Sequence, residues 1–304
     1  MISFTTVCMD RLDHLKKTLP RNIEDTKGID REFIILNYNS KDRMNEWLWD
    51  HFQKEIKTGL VKVFHTLEPK HFNMSHSKNA VAKQAKGDIL IHIDADNFIV
   101  KGFSEWVLKA FRKDPNIIIR TDSKKAPGGG GKIAIKRREF EKLQGYNETF
   151  KGWGYEDLEF IARAQPTLTL VHFPLKYVDV IQHSNRERFK NYEEGLLDQA
   201  VDEEEGWKAI KFNGITETEF YQKYDGTKYF EQSDYDYESR VGDPEAEEYF
   251  NYVRYQLMNF WELNYVNEDI YEKYHTSPKN KGQGYNPVNY RWGECKVKRL
   301  WIKN

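Results

Sequence analysis

Cysteine is nearly absent: Cys8 in an apolar run and Cys295 near the C-terminus are the only two in 304 residues. Two cannot build a disulfide framework or a structural zinc site, and they suit a reducing compartment. An excess of one charge is also absent. With 47 Lys and Arg against 48 Asp and Glu the formal net charge is -1, so no global field recruits nucleic acid or an anionic membrane. No apolar run approaches the ~20 residues of a membrane helix, and "MISFTTVCMD" lacks the basic start and long apolar core of a secretory leader. We therefore expect a cytoplasmic protein, peripheral to a membrane only by way of a partner.

What the chain does have is alternation. "ISFTTVCM" (2–9) reads as a strand, and Leu12, Leu15, Leu19 and Ile23 recur at helical spacing. "EFIILNYNS" (32–40) is a second strand, 42–57 a helix with Met44, Trp47, Leu48 and Phe52 on one side, and "LVKVFHT" a third strand. "SKNAVAKQAKGD" reads as an Ala-rich helix ending at Gly87, and "ILIHID" as a buried strand. Phe103, Trp106, Val107, Ala110 and Phe111 then stripe a further helix before "NIIIRTD". Strand and helix in turn predict an α/β fold with a mostly parallel sheet between helices, and ligands at the carboxyl ends of its strands. That singles out Asp10, Arg11, Asn37 to Asn39 and Asp94 to Asn97.

From Pro127 the pattern changes. A glycine run (128–131) leads to a short strand in "KIAIKR", a short helix in "REFEKLQG", and last strands in "LTLVHFPL" and "KYVDVIQHS". Beyond residue 190 the strand signal fades. Seven acidic residues between Glu193 and Glu205 read as a solvated helix face; Asp243 and Pro244 read as a helix start, followed by an amphipathic stripe of Phe250, Val253, Leu257 and Trp261. We expect a sheet domain over 1–190 and a largely helical, aromatic-rich extension over 191–304.

Two motifs carry chemistry. "HIDADN" sets Asp94 and Asp96 two apart where an apolar strand ends. If the chain stays extended, both carboxylates point to one side, a hard-oxygen pair suited to Mg²⁺ or Mn²⁺ and, through the ion, to phosphate. A plain loop start has the same pattern. "GWGYEDLEF" (152–160) places Glu156 and Asp157 just after Trp153 and Tyr155. The carboxylates suit a general base and a hydroxyl anchor, the rings a flat face for a sugar, and the glycines close backbone approach. Acidic residues at a helix N-terminus give the run a structural reading too, and the two are compatible. His183, ending the last strand, is a candidate third metal ligand.

In this order the segments resemble the GT-A-fold glycosyltransferases of the family-2-like type, and among them the β-1,4-galactosyltransferase and chondroitin-polymerase group. "DRLDHLKKTLP", "FNMSHSKNAVAKQAKGDILIHIDAD", "GWGYEDLEF" and "VIQHS" carry the likeness, which covers roughly residues 2–188. It implies a Rossmann-like GT-A catalytic domain over 1–190. It places Arg11, Asn37, Asn39, Asn79, Asp94 and Asp96 on the nucleotide-sugar side. Asp96 and His183, with Asp94, would hold Mn²⁺ or Mg²⁺; Asp157 would be the general base; Trp153, Tyr155 and Glu156 would meet the acceptor.

The chain departs from that group in two places. Where the galactosyltransferases have a methionine three residues before the metal histidine, it has Val180. Where many family-2 enzymes have an acidic residue after the second strand, it reads "NYNS", which leaves the nucleobase to Asn37 or Asn39.

The implied activity is an inverting, metal-dependent transfer of a hexose or N-acetylhexosamine from a UDP-linked donor to a glycan hydroxyl, with no nucleic acid among the partners. Two rivals remain. A nucleotidyltransferase would carry a Gly-rich basic loop where "CMDRLDH" stands. A non-catalytic glycan-binding protein would have lost one of Asp96, Asp157 or His183.

Overall fold

The computed structural model describes residues 1–122, 129, 131–150, 154–183, 191 and 292–301. The chain falls into two compact units, Met1–Gln182 with Asn267–Asn304, and His183–Val266. The sheet belongs to the first. Its strands are β1 (Ile2–Cys8), β2 (Arg31–Tyr38), β3 (Val61–Thr66), β4 (Ile89–His92), β5 (Ile117–Arg120), β6 (Ile133–Lys136), β7 (Thr169–His172) and β8 (Lys298–Arg299). The helices are α1 (Leu12–Asp25), α2 (Met44–Thr58), α3 (Met74–Ala82), α4 (Phe103–Lys113), α5 (Arg137–Lys142) and α6 (Glu156–Ala164).

The strand order is β7-β5-β6-β4-β1-β2-β3-β8. β4, β1, β2 and β3 run parallel, β6 is antiparallel to both β4 and β5, β7 is parallel to β5, and β8 closes the far edge antiparallel to β3. Period-two alternation sorts each strand between two cores. Phe33 and Ile35 join Phe4, Ile91, Leu15, Leu48 and Val107 on one face. Ile34 and Leu36 join Leu90, Ile135, Val81, Phe140 and Phe160 on the other. Because both faces are covered, the strands read as unbroken apolar runs in the sequence. β1 has β2 on one side and β4 on the other, so the chain order reverses at β1 and the loops after these strands line one crevice.

Four expectations change. α3 stops at Ala82, and the chain continues in tight turns, with Gln84 N donating to Val81 O and Ala85 N to Ala82 O (both 3.1 Å). Gly87 does not end a helix: its amide donates to Ser3 Oγ (2.8 Å), and a Cβ there would strike Ser3 and the Met1 carbonyl. β4 ends at His92, and Asn97 N donates to Asp94 O (3.0 Å), so Asp94 and Asp96 ride a turn and not an extended strand end. "KYVDVIQHS" is a 3₁₀ turn (Leu175–Tyr177) and a single bridge, Asn97 to Val180, because its pairing partner is itself that turn.

At the other end of the chain, β8 adds Lys298 and Arg299 to the sheet of the first unit, although sequence alone gave 191–304 to a separate extension. The acidic run 193–205, the helix expected after Asp243, and Trp153 lie outside the described residues. Among the described residues no helix is long and apolar enough to cross a membrane.

Candidate active site

The loops after β1 and β2 are knitted together by small polar groups. Asp10, with φ 52, donates its amide to Ser40 Oγ (2.6 Å), and its carboxylate accepts from Lys41 N (2.5 Å). Arg11 stands at the N-cap of α1 without a side-chain cap of its own. Asp42 serves instead: Oδ2 accepts from Leu12 N and Oδ1 from Ser40 Oγ, each 2.8 Å. Asn37 donates to Asn45 Oδ1 (2.9 Å) and accepts from Ser40 N (2.8 Å). Asn39 donates to Pro69 O (2.7 Å) and accepts from Lys41 Nζ (2.5 Å). Both asparagines, expected at the nucleobase, thus spend these groups on the shape of their own loop.

The aspartate turn sits between α1 and Gly131. Asn22 Nδ2 donates to Asn97 O (3.1 Å), Thr18 Oγ1 to Ala95 O (2.7 Å), and Asn97 Nδ2 to Asp96 Oδ1 (2.6 Å). On the other side Gly131 lies so close that a Cβ would collide with the Asp94 carboxylate, an approach only glycine permits. The next residue, Lys132, is buried and donates to Phe98 O (2.7 Å) and Tyr177 O (3.1 Å). Burial pushes its ammonium down to about 8, against the pull of Asp179 and Asp94.

Residues 179–181 line up beside the turn, with Phe98 N on Asp179 O (2.9 Å) and Ile181 N on Asp96 O (2.8 Å). Val180, where the resemblance expects a metal-binding methionine, supplies the bridge to Asn97. Two residues beyond Ile181, His183 opens the second unit. Among the described residues no group of three or more His, Cys, Asp or Glu gathers at metal-ligand spacing. Asp94 and Asp96 are therefore a two-carboxylate set, which suits an ion completed by phosphate oxygens and water.

α6 starts inside the second motif. Tyr155 is its N-cap in the left-handed region (φ 64), and Glu156, Asp157 and Glu159 fill the first turn, where the helix dipole favours negative charge. The three carboxylates then part company. Glu159 is buried against Arg163, whose guanidinium also donates to the carbonyls of Leu143 and Gly145 (2.7 Å to the latter), so this pair fastens α6 to the loop after α5. Glu156 and Asp157 meet Lys78 of α3 instead: Nζ lies 2.9 Å from Asp157 Oδ1 and 3.3 Å from Glu156 Oε1.

Burial raises the Glu156 carboxyl, Asp157 adds to the rise and Lys78 opposes it. Burial likewise pushes Asp94 up to about 7, opposed by Lys78 and reinforced by Asp96, Asp157 and Glu156; its partial exposure tempers the effect. The aspartate turn and the α6 pair therefore share one charge cluster, with more carboxylate than ammonium, and a cation would relieve it.

Residues 119–184 match the family model described as the N-terminal domain of galactosyltransferase. The structure is similar to a mannosyltransferase from Pyrobaculum calidifontis solved with GDP-Man and Mn²⁺, with TM-score 0.55 and 14% identity over 88% of this chain and 86% of that one. It is also similar to residues 1–349 of S. aureus TarS, with TM-score 0.50 and 13% identity over 90% of this chain and 91% of that one. The chain carries a glycosyltransferase domain of the GT-A fold. No curated protein matches it in sequence.

Sequence reasoning missed the side chains that hold these carboxylates and the loops beside them. Lys78 was passed over, and Asn79 was placed with the donor. Asn79 is fully buried: Nδ2 donates to Tyr146 O (2.8 Å) and Glu148 Oε1 (2.6 Å), and Oδ1 accepts from Tyr146 N (2.8 Å). It is a brace between α3 and the loop ahead of α6. The C-terminal segment joins the same brace, with Gly293 N on Glu148 Oε1 (2.6 Å) and Trp292 edge-on to Phe140. The one available signal for Lys78 was a lysine amid Ser, Asn and Ala in a helix with few other charges.

Proposed function

We propose that this glycosyltransferase moves a hexose or N-acetylhexosamine, with inversion, from a UDP-linked donor to a hydroxyl of a glycan. The observation that carries the reading is the Lys78 ammonium, 2.9 Å from Asp157 Oδ1 and 3.3 Å from Glu156 Oε1 on the first turn of α6, in a charge cluster that also takes in Asp94. Such a cluster supports a proton acceptor near the place where a diphosphate would sit.

Asp157 takes the proton of the acceptor hydroxyl as that oxygen attacks the anomeric carbon and the bond to the diphosphate breaks on the opposite face. Glu156, raised by burial, anchors the same hydroxyl, and Tyr155 and Trp153 offer rings to the sugar. Arg11, at the N-cap of α1, meets the nucleotide, on loops shaped by Asn37 and Asn39. Asp94 and Asp96 would hold Mn²⁺ or Mg²⁺, which when bound would offset the charge of the leaving diphosphate; His183, expected as a third ligand, joins no such group among the described residues. The metal-bearing mannosyltransferase of like fold supports a divalent ion. A cytoplasmic setting fits two free thiols, Cys8 and Cys295.

The test is a thermal-shift panel of UDP, GDP, CDP and dTDP with and without Mn²⁺, on the wild type, Asp96→Ala and Asp157→Asn. UDP should stabilise the wild type only with the metal, and Asp96→Ala should abolish the shift. Asp157→Asn should keep the shift yet lose about 10²-fold or more in sugar transfer. An Asp157→Asn protein that transfers normally, or that loses nucleotide binding as well, overturns the role given to Asp157.

A further inference from the structure

We infer that Lys78 is a positioning residue for the acceptor site: it holds the Asp157 and Glu156 carboxylates in place. The inference rests on Asp157 as the base. Lys78 is a lysine at 4% exposure, deep for a residue type that is rarely interior unless paired. Its ammonium lies 2.9 Å from Asp157 Oδ1 and 3.3 Å from Glu156 Oε1, and 5.0 Å from the centre of the Tyr146 ring. The helix that carries it is fixed in register by the next residue, since Asn79 grips both backbone groups of Tyr146. Gly145, at φ 68, has no room for a Cβ against Asn79, which keeps that grip close. One turn of α3 thus clamps the loop before the motif and the carboxylates within it.

The titratable groups around the pair come from every neighbouring element: Asp94 and Asp96 after β4, His92 within β4, Tyr146 before α6, and Lys132 ahead of β6. Carboxylates outnumber ammonium groups in that set. Without Lys78 the Glu156 carboxyl loses the cation that opposes its rise and takes up a proton at higher pH, and Asp157 loses the ammonium that holds it. A protonated Glu156 no longer anchors the acceptor hydroxyl as a carboxylate. The acid limb of transfer therefore moves to higher pH when Lys78 is neutralised, and stays in place when an arginine keeps the charge.

The experiment compares wild type, Lys78→Met and Lys78→Arg by two readouts on the full chain with Mg²⁺. One is the ¹³C-carboxyl NMR titration of Glu156, assigned with Glu156→Gln. The other is the pH profile of UDP release from UDP-galactose and UDP-N-acetylglucosamine. In Lys78→Met the carboxyl titration should move up by a unit or more, about tenfold in proton affinity, and Lys78→Arg should stay within half that shift.

A folded Lys78→Met whose Glu156 carboxyl titrates as in the wild type overturns the inference, whatever the activity. Should Lys78→Met not fold, Lys78→Met with Asp157→Asn removes one carboxylate along with the ammonium and carries the same titration of Glu156. If Asp157→Asn still transfers sugar while the titration moves as expected, the base assignment fails and the coupling of Lys78 to Glu156 stands.

Discussion

The proposed donor side and the proposed acceptor side of the crevice are held by different chemistry. The loops after β1 and β2 are joined by Asp10, Asn37, Asn39, Ser40 and Asp42 through hydrogen bonds at partly exposed sites. The acceptor side is held by buried ions, Lys78 with Asp157 and Glu156, and Arg163 with Glu159. A partly exposed hydrogen bond contributes about 0.5–1.5 kcal/mol, and water replaces it when it breaks. A buried charge that loses its partner costs about 3–5 kcal/mol, because nothing replaces the partner. Donor loops of the first kind adjust to a nucleotide cheaply. An acceptor side of the second kind keeps its groups in one place, which suits an in-line attack that tolerates little misplacement.

The largest expected effect follows from removing an ion on the acceptor side away from the reacting groups. Arg163→Leu leaves the Glu159 charge buried and the carbonyls of Leu143 and Gly145 without their donor. Chemical denaturation should show a loss of about 3–5 kcal/mol. A loss under about 1 kcal/mol would put Arg163 in the class of exposed bonds and erase the contrast between the two sides.

A middle effect is expected on the donor side. Asp42→Ala removes the borrowed cap of α1 at Leu12 N and the partner of Ser40 Oγ, which should cost about 1–2 kcal/mol and reduce the thermal shift given by UDP with Mn²⁺. Asp42→Asn keeps an oxygen acceptor and should lose less. If Asp42→Ala is as damaging as Arg163→Leu, the donor loops are as rigid as the acceptor side.

Much of the fold was legible because strands covered on both faces leave continuous apolar runs, and "EFIILNY" or "ILIH" hardly read otherwise. The aspartates of the turn were legible as a strand ending, yet not their conformation, which depends on Asn22 and Thr18 of a helix some seventy-five residues earlier. Lys78 was invisible for a related reason. Its partners lie 78 and 79 residues away, and no local period marks a lysine that is buried only because two carboxylates arrive from another element. β8 is two charged residues long, and its place beside β3 comes from backbone pairing that side-chain pattern does not report. Gly87 misled because a glycine after an Ala-rich stretch reads as a helix end, whereas here it allows close approach to β1.

The smallest effect concerns Tyr155, where the acceptor side holds a backbone strain of its own. A tyrosine at φ 64 occupies a region that glycine adopts freely and other residues seldom do. Tyr155→Gly relieves that strain at the N-cap of α6, where glycine is also tolerated as a cap. It removes a half-buried ring at the same time, so the net change in stability should be small, a gain of up to about 0.5 kcal/mol. Sugar transfer should fall more than nucleotide binding, since the proposed function gives the ring to the acceptor face and not to the donor loops. A clear loss of stability in Tyr155→Gly would show the ring to be a structural anchor. A loss of nucleotide shift equal to the loss of transfer would show that the two sides of the crevice are not separately held.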